Sequence, residues 1–188
     1  MADSVNILGL AGSLRKGSYN KAALRAAGKL VPPGNTLEIY DLDGIPPFNE
    51  DQEKEFPPRA REFKAKVSAA DAILIVTQEY NYSIPGVLKN AIDWASRPYG
   101  SSAWNAKPVG IMGASIGMFG TSRAQNHLRQ MFVFLNMFPL NKPEVMIANA
   151  TDKFDEQGNL KDLNTTEKIK ELLEALVDWT RRLKKTMA

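Results

Sequence analysis

The sequence has no cysteine, which excludes disulfides, thiolate nucleophiles, iron–sulfur clusters and thiolate zinc sites together and leaves any redox chemistry to a borrowed group. Histidine is nearly as scarce. The single one, His127, falls inside a helical pattern with Arg123 and Met131 one turn away on either side, which makes neither a metal set nor a base–nucleophile pair. A packing or interface role is expected for it, and no metal site. No apolar run approaches the ~20 residues of a membrane span, and the amino terminus lacks a basic stretch followed by an apolar one. A soluble, cytoplasmic protein that avoids membranes is therefore expected. A strong charge of one sign is also missing. The net charge is +3, and the most basic patch, Arg181-Arg182-Leu183-Lys184-Lys185, ends a helical pattern where cations complement the helix dipole, so no nucleic-acid partner is expected. What remains, 188 residues with 44% hydrophobic content, suits a single domain spanning residues 1–188.

Two nucleotide signatures are absent as well. Gly12 and Gly17 are followed by Ser18 rather than by Lys-Ser/Thr, so the Walker lysine is missing, and glycines at 9, 12 and 17 do not fit Gly-x-Gly-x-x-Gly. Yet the stretch Ile7-Leu8-Gly9-Leu10-Ala11-Gly12-Ser13-Leu14-Arg15-Lys16-Gly17-Ser18-Tyr19-Asn20 passes from an apolar run to small, hydroxylated and cationic residues. It reads as strand, loop, helix. Ser13, Ser18 and Asn20 can bond phosphate oxygens, Arg15 offers a planar charged donor, and the helix amino terminus favours an anion. Two readings stand at this point: a mononucleotide phosphate site, or a ligand-free Ser/Gly-rich loop in which Asn20 only caps a helix.

The rest of the chain alternates. Strands are expected at Val5–Leu10, around Leu37 and Ile39, at Ala72–Thr77, Pro108–Gly113 and Glu144–Ala148, with helices at Asn20–Leu30, Arg59–Ala70, Val87–Ala95, Ser122–Met137 and Thr165–Lys184. A long loop is expected from Gly44 to Pro58 and a polar excursion from Asp152 to Asn164. Asp41, after the second strand, reads as loop solvation or capping. Strands alternating with helices imply a parallel sheet, with ligands at the carboxyl ends of its strands near the topological switch. The loops after the first, third and fourth strands meet there. Trp94 and Trp104 lie near that region and read first as core, with a shielding wall as the alternative.

The third of those strands leads into Gln78-Glu79-Tyr80-Asn81-Tyr82-Ser83-Ile84-Pro85-Gly86, which contains no Lys, His or Cys, and its serine has no base nearby in sequence. Backbone amides at Asn81 and Ser83 can donate to a polar ring, and Tyr80 or Tyr82 can line a flat aromatic ligand. The alternative is a surface turn with stacked tyrosines. Ser13-x-Arg15-x-x-Ser18-x-Asn20 after Ala11-Gly12, taken with Glu79-Tyr80-Asn81-Tyr82-Ser83-Ile84-Pro85-Gly86, resembles the NADPH-dependent FMN reductase family, including its chromate- and quinone-reducing branch. The resemblance runs from about Ile7 to Pro139. It implies a flavodoxin-like α/β three-layer sandwich with a five-stranded parallel sheet in the order 2-1-3-4-5.

The resemblance also implies an enzyme that binds FMN, takes hydride from NADPH or NADH and passes electrons to small-molecule acceptors such as quinones, chromate, azo compounds or flavins. The cofactor would be held by Ser13, Leu14, Arg15, Ser18, Tyr19 and Asn20, by Glu79, Tyr80, Asn81, Tyr82 and Ser83, and by Ser115 and Gly117 beside the ring, with no side chain carrying the chemistry. A flavodoxin-type carrier without an NAD(P)H site is the rival, although such carriers are typically acidic. One departure stands out. The related motif usually has proline where this chain has Gln78, so a looser Thr77 and a free amide donor are expected. Finally, Met131-Phe132-Val133-Phe134-Leu135-Asn136-Met137-Phe138 is apolar nearly all round, and Val133, Phe134, Met137 and Phe138 are expected to point away from the core into a symmetric homodimer or homotetramer contact, unless the last helix covers them.

Overall fold

The computed structural model describes residues 4–187. Strands β1 (Asn6–Ala11), β2 (Thr36–Tyr40), β3 (Ala72–Val76) and β4 (Pro108–Ala114) lie in the order β2-β1-β3-β4, all parallel. The continuous apolar runs of β1, β3 and β4 are buried on both faces, as central parallel strands require. Successive residues of β3 serve opposite cores. Ile73 and Ile75 join Leu8, Leu10 and Ile111 on one face, while Leu74 and Val76 join Ile7 and Met112 on the other.

The first face is covered by α2 (Pro58–Ala69), α3 (Gly86–Ser96) and α4 (Ser122–Leu135), through Phe63, Leu88, Leu128 and Phe132. The second is covered by α1 (Tyr19–Lys29) and α6 (Leu163–Met187), through Leu24, Leu172 and Leu176. Each fully buried Leu or Ile contributes roughly 1.5–3 kcal/mol. Gly9 is required by this packing, because a Cβ there would meet Leu24 Cδ1 at 2.7 Å and Leu37 Cδ2 at 2.9 Å. Trp94 and Trp104 are completely buried, their indole N–H groups donating to the Pro46 and Ile92 carbonyls at 2.8 and 3.0 Å. Both are core residues.

The fifth strand departs from expectation. Instead of one segment at Glu144–Ala148, the edge is made by β5 (Phe138–Pro139) against the start of β4 and β6 (Val145–Ile147) against its end. The Phe138 and Leu140 amides reach the Lys107 and Val109 carbonyls at 2.9 and 2.8 Å, after which the chain leaves the sheet and returns at Val145. Helix α4 also stops at Leu135, because Asn136 is left-handed with φ 52°. That turn swings Met137 into the core, 5% exposed, and puts Phe138 half-buried in β5, whereas Val133 and Phe134 remain 83% and 78% exposed. The expected excursion holds a short helix, α5 (Ala150–Lys153), and a Phe154–Leu160 bridge. Helix α6 begins at Leu163, ahead of Thr165, where Asp162 Oδ1 accepts from the Thr165 amide at 2.8 Å. Among the described residues no helix is long and apolar enough to cross a membrane.

Candidate functional site

The loops after β1, β3 and β4 converge, as parallel topology dictates. They enclose a cavity of about 210 Å³ lined by Ser13, Arg15, Ser18, Tyr19, Asn20, Gln78, Glu79, Tyr80, Ala114, Ser115 and Ile116. Most of the residues singled out in the sequence are thus brought together. Leu14, Asn81, Tyr82, Ser83 and Gly117 lie outside this wall.

Each loop is fastened by bonds that no local pattern reveals. The buried Asn20 amide spans from α1 to β4, donating to the Ala114 carbonyl at 2.9 Å and accepting from the Ala114 amide at 2.8 Å. Its oxygen is therefore committed to backbone and does not cap α1. Ser18 is the N-cap, its Oγ accepting from the Lys21 amide at 3.4 Å. The first N–H groups of α1 have no intrahelical partner, and Ser18, Tyr19 and Asn20 at that end of the helix line the cavity. Ser13 Oγ accepts from the Arg15 amide at 3.3 Å, while the Arg15 side chain is exposed at the cavity mouth. The Tyr19 ring packs on Phe154 at 5.5 Å. Asp41 accepts from the Asp43 amide at 3.1 Å and pairs with Lys21 at 2.8 Å, a loop-solvating role as expected.

Gln78 does not loosen the second loop. Its Nε2 donates to the Gly12 carbonyl, and Thr77 is completely buried with its amide on the Met112 carbonyl at 3.0 Å. A Cβ on Gly12 would meet Pro85 Cγ at 2.9 Å and Gln78 Oε1 at 3.2 Å, so the close approach of these loops needs glycine. Gln78 Oε1 itself is buried without a hydrogen-bond partner. A buried orphan acceptor in a cavity wall is costly unless a ligand supplies a donor.

The Glu79 carboxylate is taken up by α4. It accepts from the Arg123 and Ala124 amides at 3.0 and 3.1 Å and pairs with the Arg123 guanidinium at 2.5 Å. The reason is local: Thr121 sits at φ 70° and provides no side-chain cap, so a carboxylate from another loop meets the positive end of the helix. Tyr80 and Ser83 exchange amide–carbonyl bonds at 3.0 and 2.9 Å around Asn81 (φ 50°) and Tyr82 (φ 66°), a tight hairpin of the primed kind. Left-handed backbone at a bulky Tyr82 is strained, and the Arg123 guanidinium lies over its ring at 3.9 Å and over Phe119 at 4.7 Å. Sequence reasoning left Ser83 without a base. The structure corrects this, since Ser83 Oγ lies 2.9 Å from His127 Nδ1. The only signal available was a serine and a histidine 44 positions apart, which no local pattern links. The Ser115 Oγ accepts from the Gly117 amide at 3.1 Å, closing the third loop.

A larger cavity, about 550 Å³, lies between α3 and α4 and includes Phe48, Tyr99, Met131 and Phe134. Its charges form two ion pairs, Lys89 with Asp93 at 2.7 Å and Arg97 with Glu53 at 3.4 Å, and Arg97 Nη1 and Glu53 Oε1 are buried without a hydrogen-bond partner. The smaller cavity has the chemistry.

Residues 5–152 match the family model described as NADPH-dependent FMN reductase. An NAD(P)H-dependent FMN reductase of Pseudomonas aeruginosa is 55% identical over 185 residues, covering 98% of this chain and 100% of that protein. A 2-hydroxy-1,4-benzoquinone reductase of a Burkholderia species is 40% identical, covering 95% of this chain and 97% of that protein. Among solved structures, the flavoenzyme NAD(P)H:(acceptor) oxidoreductase FerB of Paracoccus denitrificans superposes with a TM-score of 0.87 at 31% identity, over 95% of this chain and 98% of that one.

Proposed function

Because this chain belongs to the NADPH-dependent FMN reductase family, we infer that it is an FMN-dependent oxidoreductase that takes hydride from NAD(P)H and reduces quinones. The observation that carries the reading is the cavity at the carboxyl ends of β1, β3 and β4, which gathers Ser13, Arg15 and Ser18 at the start of α1 with Gln78, whose Oε1 is buried without a partner. Arg15, Ser13, Ser18 and the amino terminus of α1 would hold the phosphate. Gln78 Oε1, buried without a partner, would accept from a hydroxyl of the cofactor's ribityl chain. The cavity is smaller than the roughly 300–1,000 Å³ that encloses a drug-sized ligand, so it would take the phosphate end, and Tyr80 and Ile116 would border the ring. The hairpin spends the Tyr80 and Ser83 amides on itself, leaving those of Asn81 and Tyr82 for the ring. When bound, FMN supplies the hydride chemistry. The chain binds, orients and leaves a face on which nicotinamide and acceptor alternate.

The relatives named for quinone reduction favour quinones as the acceptor class. The net charge of +3 speaks against an acidic carrier that docks protein partners. Dependence on NAD(P)H fits a cytoplasmic workplace. The exposed Val133 and Phe134 beside the α3–α4 cavity fit a contact with a second copy of the chain, since α6 packs on the opposite face of the sheet and leaves them uncovered. Purified protein should carry a flavin spectrum that NADPH bleaches without oxygen, and steady-state rates with NADPH and a quinone should give parallel double-reciprocal lines. Flavin that NADPH fails to reduce would convert the reading to an electron carrier, and intersecting lines would remove the shared face.

A further inference from the structure

Reduction of a quinone to a hydroquinone takes a hydride and a separate proton, and the fold places one group able to deliver that proton beside the cavity. We propose that Ser83 and His127 form a proton relay to the carbonyl oxygen of the quinone acceptor, a proposal that rests on the oxidoreductase reading above.

The hydroxyl and the imidazole are 2.9 Å apart. Ser83 stands directly across the hairpin from Tyr80, which lines the cavity, and residues paired in that way have Cα atoms about 5.5 Å apart. The hairpin is held from several sides, by its own exchanged bonds, by Glu79 on the amino terminus of α4 and by Arg123 over the Tyr82 ring. His127 sits on the same helix as Arg123, one turn further on, so the same scaffold fixes both ends of the Ser83–His127 contact. The neighbouring groups are unsuited to proton delivery. The Glu79 carboxylate is bound to α4 and Arg123, and a guanidinium does not give up its proton in proteins. Imidazole alone among ordinary side chains changes charge near neutrality, and His127 is open to solvent.

The balance is simple. The quinone receives two electrons and one proton as hydride, and its second oxygen, left anionic, takes the proton of Ser83 Oγ–H. The His127 imidazolium gives its Nδ1 proton to Ser83, and the neutral ring that remains is recharged from water. Hydroquinone leaves.

The test uses the FMN-loaded protein, reduced by NADPH without oxygen and then mixed with either 1,4-benzoquinone or ferricyanide, which takes single electrons and no proton. His127→Gln keeps a hydrogen-bonding partner for Ser83 but cannot shuttle a proton. It should slow reoxidation by benzoquinone about 100-fold, in the usual range for a lost general acid, while reoxidation by ferricyanide and reduction by NADPH stay within about twofold. An unchanged benzoquinone rate, or equal slowing with both acceptors, overturns the relay. A wild type that NADPH does not reduce instead overturns the oxidoreductase reading, and is seen before any acceptor is added. A second readout needs no turnover. As the only histidine, His127 gives a single set of imidazole NMR signals. These should move in Ser83→Ala and again when hydroquinone is added to the oxidised, FMN-loaded wild type, and signals indifferent to both would also overturn the proposal.

Discussion

The two cavities differ in the opposite sense to their sizes. The one between α3 and α4 is roughly 550 Å³, and its wall mixes aromatic and aliphatic side chains with the Lys89–Asp93 and Arg97–Glu53 ion pairs; the one at the strand ends is roughly 210 Å³ and gathers the loop hydroxyls, Arg15 and the amino terminus of α1. Volume follows from how helices happen to splay. Chemistry follows from where the topology forces backbone ends and loop side chains to meet, and from donors and acceptors that the fold itself leaves unused. In the smaller cavity the loops are also tied to one another, through Asn20 on β4, Gln78 on Gly12 and Glu79 on α4, so the groups that would meet a ligand are preorganised.

If that contrast is right, the largest effect comes from cutting a tie. Asn20→Ala leaves the Ala114 amide and carbonyl without partners in a buried place, at about 1–3 kcal/mol for each group. Chemical denaturation of the FMN-free protein should show a loss of roughly 2–6 kcal/mol. A change below about 1 kcal/mol would mean that water or a neighbour replaces the amide. Arg15→Ala should leave stability alone and weaken FMN by roughly 1.5–3 kcal/mol, the worth of a charge-assisted bond. Riboflavin, which lacks the phosphate, should bind both proteins alike in titrations; equal losses for the two ligands would remove the phosphate from this loop.

The larger cavity should respond in mass rather than in colour. Phe134 lies eleven residues along α4 from Arg123, about 16 Å at helical rise. Phe134→Glu should therefore halve the mass seen by light scattering and leave FMN affinity within about twofold. An unchanged mass would take the subunit contact away from this face. The smallest effect is on acid stability, and it arises away from both cavities. For Asp41, burial pushes the carboxyl up, but the hydrogen bonds from Lys21 and from the Asp43 amide, with the nearby Lys21 and Arg59 charges, outweigh it and hold it below 3.8. Asp162 is held low chiefly by the Thr165 hydroxyl and then by the Thr165 amide. Groups lowered in the folded state stabilise it above their ordinary value, and that contribution is lost as pH falls through the lowered one. The stabilisation these two carboxylates give should therefore fade as pH falls below about 3.8, and Asp162→Asn should make that loss shallower. A mutant profile that overlays the wild type would show the cap to be idle.

Much of this could be read from the chain before folding. The run into Gly12 and the alternation of strand and helix patterns place the cavity, because parallel topology leaves little choice about where loops meet. What escaped were side-chain ties across long separations. Asn20 carries no mark that its amide will fill a gap at Ala114, and Gln78, read as a loosening substitution, proves to be a clasp, because a side chain can replace the stiffness that proline would have given to the backbone. His127 and Ser83 meet only through the docking of α4. The end of α4 is hidden for a different reason. Apolar periodicity ran on past Leu135, but a single left-handed Asn136 redirected Met137 inward, and periodicity carries no information about such a turn.

The divided edge of the sheet has a bearing on solubility. An uninterrupted outer strand would offer a row of unpaired amides and carbonyls on which another chain could lay down a strand. Here the outer rail comes in two short pieces, β5 and β6, with the chain stepping out of the sheet between them. Along β5 and just beyond it, the Phe138 and Leu140 amides turn inward to the β4 side, onto the Lys107 and Val109 carbonyls. The residue between them, whose nitrogen would face outward, is Pro139, which has no proton to give. The border is thus unfit for growth by strand addition. On this side of the sheet, a copy of this chain seeking another must do so through the helices, where the meeting is finite and closes on itself, rather than along strands that could extend without limit.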